Sequence, residues 1–244
     1  MCATCGCGED AATHTPHEHV HPHTETVSLE EKVLAKNDRQ AEQNRAFLAA
    51  RHIVALNITS SPGAGKTTLL EHTIGALIAD RAVTVIEGDQ ETLLDAERIR
   101  ATGARAVQIN TGTGCHLDAR MVHQALHTLD PEPESVLFIE NVGNLVCPAL
   151  FDLGEHAMVV VISVTEGADK PLKYPHMFAA ADLVVVNKID LLPYVDFDLD
   201  AFRRAVRSVN HSAEILPLSA VTGAGTAAWQ AWITDRSPVP ATTR

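Results

Sequence analysis

Apolar residues recur along the chain in short runs, at 53–58, 83–86, 106–109, 136–139, 158–164 and 183–186, each four to seven residues long and interrupted by at most one polar residue. Runs of this length without polar alternation predict strands covered on both faces. A shorter run, Ile215-Leu216-Pro217-Leu218, predicts one more strand. Most intervening segments place apolar residues at helical spacing, as in Leu69, Leu70, Ile74, Leu77 and Ile78. Another such segment begins at Thr113-Gly114-Cys115-His116 and continues through Leu117, Met121, Val122, Leu126 and Leu129. Upstream, Ser28-Leu29-Glu30-Glu31 matches a capping box, and Val33, Leu34, Phe47 and Leu48 supply an apolar face, which predicts a helix over 28–51. The expected fold is α/β, with a mostly parallel sheet flanked by helices. Such sheets bind ligands beyond the carboxyl ends of their strands.

The chemistry lies at that edge. Ser60-Ser61-Pro62-Gly63-Ala64-Gly65-Lys66-Thr67-Thr68 follows the first strand and enters a helix, the arrangement of a phosphate-binding loop. Glycines there let backbone N–H groups face the phosphates, Lys66 reaches the β/γ-phosphates and the Thr67 hydroxyl ligates Mg²⁺. The first glycine of the usual pattern is replaced by Ser60, which is expected to alter loop geometry without abolishing binding. Asn187-Lys188-Ile189-Asp190 ends a later strand. A carboxylate at Asp190 can accept from both guanine N1–H and the 2-amino group, donors that adenine lacks, so GTP and GDP are the expected nucleotides. Asn187 and Lys188 would buttress the loop and lie along the base. Ser219-Ala220, after the short strand, would approach the guanine carbonyl through backbone N–H groups. Glu140, with Gly143 three residues on, stands where many GTPases carry D-x-x-G, and Gly143 N–H would sense the γ-phosphate. Contact of Glu140 with Mg²⁺, direct or through water, is left open. Asp89, ending Glu87-Gly88-Asp89, is expected near Mg²⁺ or the attacking water.

A formal charge of −12 and the absence of a basic block argue against nucleic acid or an anionic membrane as partner. No run approaches the ~20 apolar residues of a membrane span. With no apolar leader at its N-terminus, the chain is expected in the cytoplasm. There, five cysteines are read as metal ligands or reactive thiols rather than disulfides.

The first 27 residues differ from the rest. Cys2, Cys5 and Cys7 form C-x-x-C-G-C, followed by His14, His17, His19, His21 and His23 among prolines. This segment, without apolar periodicity, is expected to be a flexible metal-binding arm. If Met1 is cleaved, the freed amine of Cys2 joins the three thiolates in a set that suits planar Ni²⁺, and three thiolates also suit tetrahedral Zn²⁺. A second cluster, Cys115, His116 and Cys147, offers two sulfurs and an imidazole at a predicted helix start. Cys147 lies just beyond the loop expected to respond to γ-phosphate loss. His123 and His127 lie one turn apart, and an exposed or partner-facing role competes with ligation.

Together, C-x-x-C-G-C, the His-rich arm, S-P-G-A-G-K-T-T, T-G-x-G-C-H, E-N-V-G-N-L-V-C-P, D-K-P-x-K-Y-P and N-K-x-D resemble the hydrogenase nickel-incorporation GTPase (HypB) family. The resemblance covers residues 1 to about 232. It implies a homodimeric, cytoplasmic GTPase that helps deliver Ni²⁺ to the large subunit of [NiFe]-hydrogenase alongside companion nickel-insertion proteins. It also implies a tight nickel site at Cys2, Cys5 and Cys7, and a weaker nickel or zinc site at Cys115, His116 and Cys147 near the dimer interface. Lys170 or Lys173 would reach nucleotide across that interface, and Leu191 and Val195 would be apolar dimer contacts or ordinary core. Where some relatives carry extra histidines, this chain has Asp118 and Arg120, so no second ion is expected there.

The expected organisation is an arm at 1–27, a helix at 28–51, a P-loop GTPase domain at 52–235 and a disordered tail at 236–244. No glutamine or arginine finger stands out, so intrinsic hydrolysis should be slow, with Lys66, Asp89 and Glu140 as its catalytic groups. Two other readings are a urease-type nickel-insertion GTPase and a nickel storage or buffering protein.

Overall fold

The computed structural model of the chain describes residues 23–89, 94–112 and 114–237. Cys2, Cys5 and Cys7, nearly all of the expected arm, and the tail from 238 onward lie outside the described residues.

Seven strands form one sheet in the order β3-β2-β4-β1-β5-β6-β7, and every neighbouring pair is parallel. They are β1 (Val54–Ser60), β2 (Val83–Asp89), β3 (Arg105–Asn110), β4 (Val136–Gly143), β5 (Ala157–Ser163), β6 (Leu183–Asn187) and β7 (Glu214–Pro217). The helices are α1 (His23–Ala50), α2 (Lys66–Leu77), α3 (Leu94–Ala101), α4 (Ala119–Leu129), α5 (Lys170–Lys173), α6 (Pro175–Ala180), α7 (Leu199–Val209) and α8 (Thr226–Arg236). The unalternating runs form the central strands: β1, β5 and β6 are buried at every position, as parallel strands covered on two faces must be. On one face Leu56, Ile58, Phe138 and Val161 pack with Leu70 and Ile74 of α2 and Trp229 of α8. On the other, Ile139 and Leu137 pack with Val122 and Leu126 of α4, and Val160 and Val184 with Phe178 and Phe202.

The first helix begins at His23, ahead of the capping box at Ser28, since residues 24–27 include neither glycine nor proline to stop it. Its last turns dock through buried amides. Asn37 accepts from Ala119 N at 2.9 Å and donates to Asp152 O at 2.8 Å. Asn44 donates to Ala119 O and Leu153 O, and Arg45 grips the Asp152 carboxylate with both oxygens within 2.9 Å. Gly154 makes this approach feasible: its φ is +87°, and a Cβ there would stand 2.5 Å from Ala41 O. Helix α1 thereby braces both the start of α4 and the 151–156 connection.

Candidate nucleotide and metal sites

At the carboxyl edge of the sheet, β1 ends at Ser60 and the chain turns tightly into α2. Gly63 and Gly65 adopt φ +75° and +94°, left-handed conformations that side chains disfavour. A Cβ on Gly65 would also meet Asn187 Nδ2 at 2.6 Å. The loop therefore needs these glycines to keep its curl. The Ser60 hydroxyl, standing where the usual pattern has glycine, accepts from Lys66 Nζ at 2.7 Å and donates to Ser61 O at 2.6 Å. The serine thus gives the loop an internal hydroxyl that holds the lysine ammonium.

Distant residues lock the loop from behind. Asn187 Nδ2 donates to Ala64 O at 2.9 Å, while its Oδ1 accepts from Lys188 N and Ala220 N. Lys188, at φ +64°, donates to Gly63 O at 2.7 Å. One asparagine therefore ties the P-loop, the end of β6 and the Ser219–Ala220 loop together. Ser219 is fully buried, and its Oγ accepts from Thr222 N at 3.2 Å. Asp190 Oδ1 is a buried atom with no hydrogen-bond partner, as expected of a carboxylate oxygen that receives a ligand's donors.

A cleft of about 540 Å³ opens over the loop, lined among others by Lys66, Thr67, Thr68, Asp89, Glu140 and Gly143. Glu140 Oε1 accepts from the Thr67 hydroxyl at 2.8 Å, so the two side chains that would face Mg²⁺ already touch. Two residues not singled out in the motifs also line the cleft. Glu87 lies opposite Glu140 in the β2–β4 register, and Arg98 of α3 reaches Glu71 at 2.6 Å and Thr68 Oγ1 at 3.3 Å. No short motif marks Arg98, and the Glu87-Gly88-Asp89 run does not single out Glu87, because helix packing and sheet register place them. Lys170 and Lys173 diverge: Lys170 Nζ lies 3.4 Å from Ser61 Oγ beside Glu166, while Lys173 is exposed and paired with Asp169. Leu191 and Val195 are half-buried against the core around β5 and β6.

The second cluster lies on the continuation of β4. Ligand atoms of Cys115, His116 and Cys147 fall within 4.8 Å of one another. The Cys115 and Cys147 sulfurs are 2.7 Å apart, whereas a tetrahedral ion with ~2.3 Å metal–sulfur bonds spaces two sulfurs by about 3.7 Å, so a bound ion requires the thiols to part by about 1 Å. The Cys147 contact, followed by burial, raises the Cys115 thiol above its ordinary range. Burial lowers His116, favouring the neutral imidazole that ligates metals, and its ring stacks on Phe151 with centroids 3.9 Å apart.

The Cys-His pair does not begin the helix, as the sequence pattern suggested. Helix α4 opens at Ala119, because Asp118 Oδ1 caps Met121 N at 2.7 Å. Leu117 N donates instead to Asn141 Oδ1, and Gly114 N turns back to Thr111 O. The two residues therefore sit in a loop stapled to β4. Asn144, directly after Gly143, adds a further tie: its Nδ2 donates to Cys115 O at 3.3 Å and its Oδ1 accepts from Val146 N at 2.8 Å.

No helix among the described residues is long and apolar enough to cross a membrane.

Residues 54–217 match the CobW/HypB/UreG nucleotide-binding domain family. The chain is 54% identical over 228 residues to the hydrogenase maturation factor HypB of Escherichia coli K12, covering 93% of this chain and 77% of that protein. It is 58% identical over 207 residues to the HypB of Azotobacter vinelandii, covering 85% and 68% respectively. Among solved structures, HypB from Archaeoglobus fulgidus superposes with a TM-score of 0.77 at 40% identity, covering 82% of this chain and 98% of that one. The structure of Helicobacter pylori HypB in complex with nickel also gives 0.77, at 36% identity, covering 82% and 94%.

Proposed function

Because the chain belongs to the HypB family of hydrogenase maturation factors, P-loop GTPases within the CobW/HypB/UreG group, we propose that it is a GTP-hydrolysing nickel metallochaperone. In this reading it helps insert Ni²⁺ into [NiFe]-hydrogenase, acting in the cytoplasm as a homodimer with companion nickel-insertion proteins. Asp190 accepts the guanine donors, and Asn187, Lys188, Ser219 and Ala220 shape the base pocket. The P-loop amides of Gly63–Thr68 and the Lys66 ammonium neutralise charge developing on the phosphates. Thr67 and Glu140, already in contact, would hold Mg²⁺, which would supply further charge neutralisation at the phosphates. Asp89 orients the attacking water or the metal, and Gly143 N–H senses the γ-phosphate. Hydrolysis is slow, as suits a switch. Cys115, His116 and Cys147 hold Ni²⁺, with Zn²⁺ as a competitor, and Cys2, Cys5 and Cys7 make a further nickel site.

One observation carries this reading: the two sites share a single stretch of backbone. Strand β4 brings Glu140 to Thr67, and within the next seven residues Asn144 ties to Cys115 O and Cys147 faces Cys115. Movement of Gly143 with the γ-phosphate thus has a short mechanical route to the cysteine pair, and by linkage metal must bias nucleotide binding equally. The test is a nickel titration of the full chain with Cys2, Cys5 and Cys7 replaced by serine, loaded with GDP and then with a non-hydrolysable GTP analogue. An affinity difference of about fivefold or more is expected. Equal affinities would remove nucleotide gating of this site.

A further inference from the structure

We propose that His123 and His127 form a separate site for an imidazole-preferring divalent cation, Zn²⁺ or Ni²⁺, on the outer side of α4. The two histidines stand at i and i+4, which brings side chains together on one helix face. Their Nε2 atoms lie 3.2 Å apart. Two imidazole nitrogens on one ion at ~2.0–2.1 Å would be separated by about 2.9 Å at a right angle and about 3.4 Å at the tetrahedral angle. The observed spacing falls between these limits.

The surroundings fix which nitrogen of His123 is available. Asn44 is fully buried, and its Nδ2 donates to the carbonyls of Ala119 and Leu153 at 2.8 and 3.0 Å. Carbonyl oxygens only accept, so the amide has one orientation, with Oδ1 facing His123 Nδ1 at 3.0 Å. An amide oxygen also only accepts, so Nδ1 carries the proton and neutral His123 presents a lone pair at Nε2. Ligating histidines adopt this arrangement: one ring nitrogen donates to an orienting group and the other faces the ion. Without an ion, His127 Nε2–H donates to that lone pair. On metal binding the His127 proton transfers through solvent to Nδ1, which frees its Nε2 as the second ligand. The rings already meet edge to face at 84°, and Phe47 packs beside His127.

Two protein ligands leave the other coordination positions to water, so the site is weaker than a cysteine cluster and exchanges readily. Paired imidazoles favour Ni²⁺, Cu²⁺ and Zn²⁺ over the oxygen-seeking Mg²⁺ and Ca²⁺. The site shares no ligand with Cys115, His116 and Cys147, and it does not depend on the function proposed above.

The test is a Zn²⁺ titration of the full chain carrying ¹⁵N-labelled histidine, following the ring nitrogens of His123 and His127 individually by NMR. Both Nε2 signals should move together with one dissociation constant, and Mg²⁺ should move neither. The exposed His127 can be replaced without disturbing the core, and H127Q should weaken the response at His123 by about tenfold or more. The reciprocal H123A, read at His127, should do the same. Independent titration of the two rings, or a His123 response unchanged in H127Q, would reduce the pair to a hydrogen-bonded couple and overturn the site.

Discussion

Around the nucleotide cradle, loop conformation is determined by partners drawn from several strands. Asn187 alone ties Ala64, Lys188 and Ala220, and Lys188 holds Gly63. Around the Cys115–His116–Cys147 cluster, all three candidate ligands are only half-buried, and the Cys115–His116 loop is positioned through its backbone by Asn144, Asn141 and the cap of α4. The first site is preorganised for a ligand of fixed shape and large charge, where displaced donors would lose most of their electrostatic effect. The second has half-exposed side chains on short loops, which can adjust with little core disruption. A rigid site beside an adjustable one is what the proposed coupling requires.

Substitutions that affect only one side test this contrast. The largest effect is expected from Lys66→Ala, which should lower single-turnover GTP hydrolysis by about 10²–10³-fold, the loss seen when a preorganised charge-stabilising donor is removed. Nickel affinity of the nucleotide-free protein should stay unchanged, and equal hydrolysis rates would remove the enzymatic role. Next, Cys147→Ser should weaken metal binding at the inner cluster by about 100-fold while leaving GDP affinity within twofold in metal-free buffer, by calorimetry of each ligand separately. A matching loss of GDP affinity would show that the cluster supports the cradle structurally. The smallest effect belongs to Asn144→Ala. Loss of its bonds to Cys115 O and Val146 N should reduce metal affinity by only about threefold to tenfold, the worth of one or two ordinary hydrogen bonds. It should also narrow the difference in nickel affinity between the GDP and GTP-analogue states, and a difference unchanged in this variant would place the coupling route elsewhere.

Much of the cradle was legible before any coordinates because its parts are contiguous. Gly63, Gly65, Lys66 and Thr67 lie within five residues, and the strand before them and helix after them are marked by local apolar spacing. The Asn187–Asp190 motif also sits where a buried run ends. Ser60 was harder to judge: its spacing marks a departure, and only the contact with Lys66 Nζ shows a hydroxyl taking part in the loop. Arg98 carried no motif at all, and Glu87 stood in the Glu87-Gly88-Asp89 run without a role of its own. The start of α4 was misplaced at the Cys-His pair because helical spacing in Leu117, Met121 and Val122 says nothing about Asp118 capping Met121 or Asn141 capturing Leu117 N.

By itself, then, the sequence determined the succession of strands and the glycine-dependent loop, and it placed Asp190 at the end of a buried strand, since each depends on the conformational preferences of near neighbours. Tertiary structure decided the rest. Cys115 meets Cys147 across 32 residues because β4 delivers its following loop beside the loop before α4. Lys170 turns toward its own P-loop while Lys173 faces solvent. His123 receives its protonation pattern from Asn44, 79 residues away on another helix. Such contacts depend on sheet register and helix docking, which no local pattern encodes, because many chain segments of the same spacing could be brought together only by the packing of the whole core.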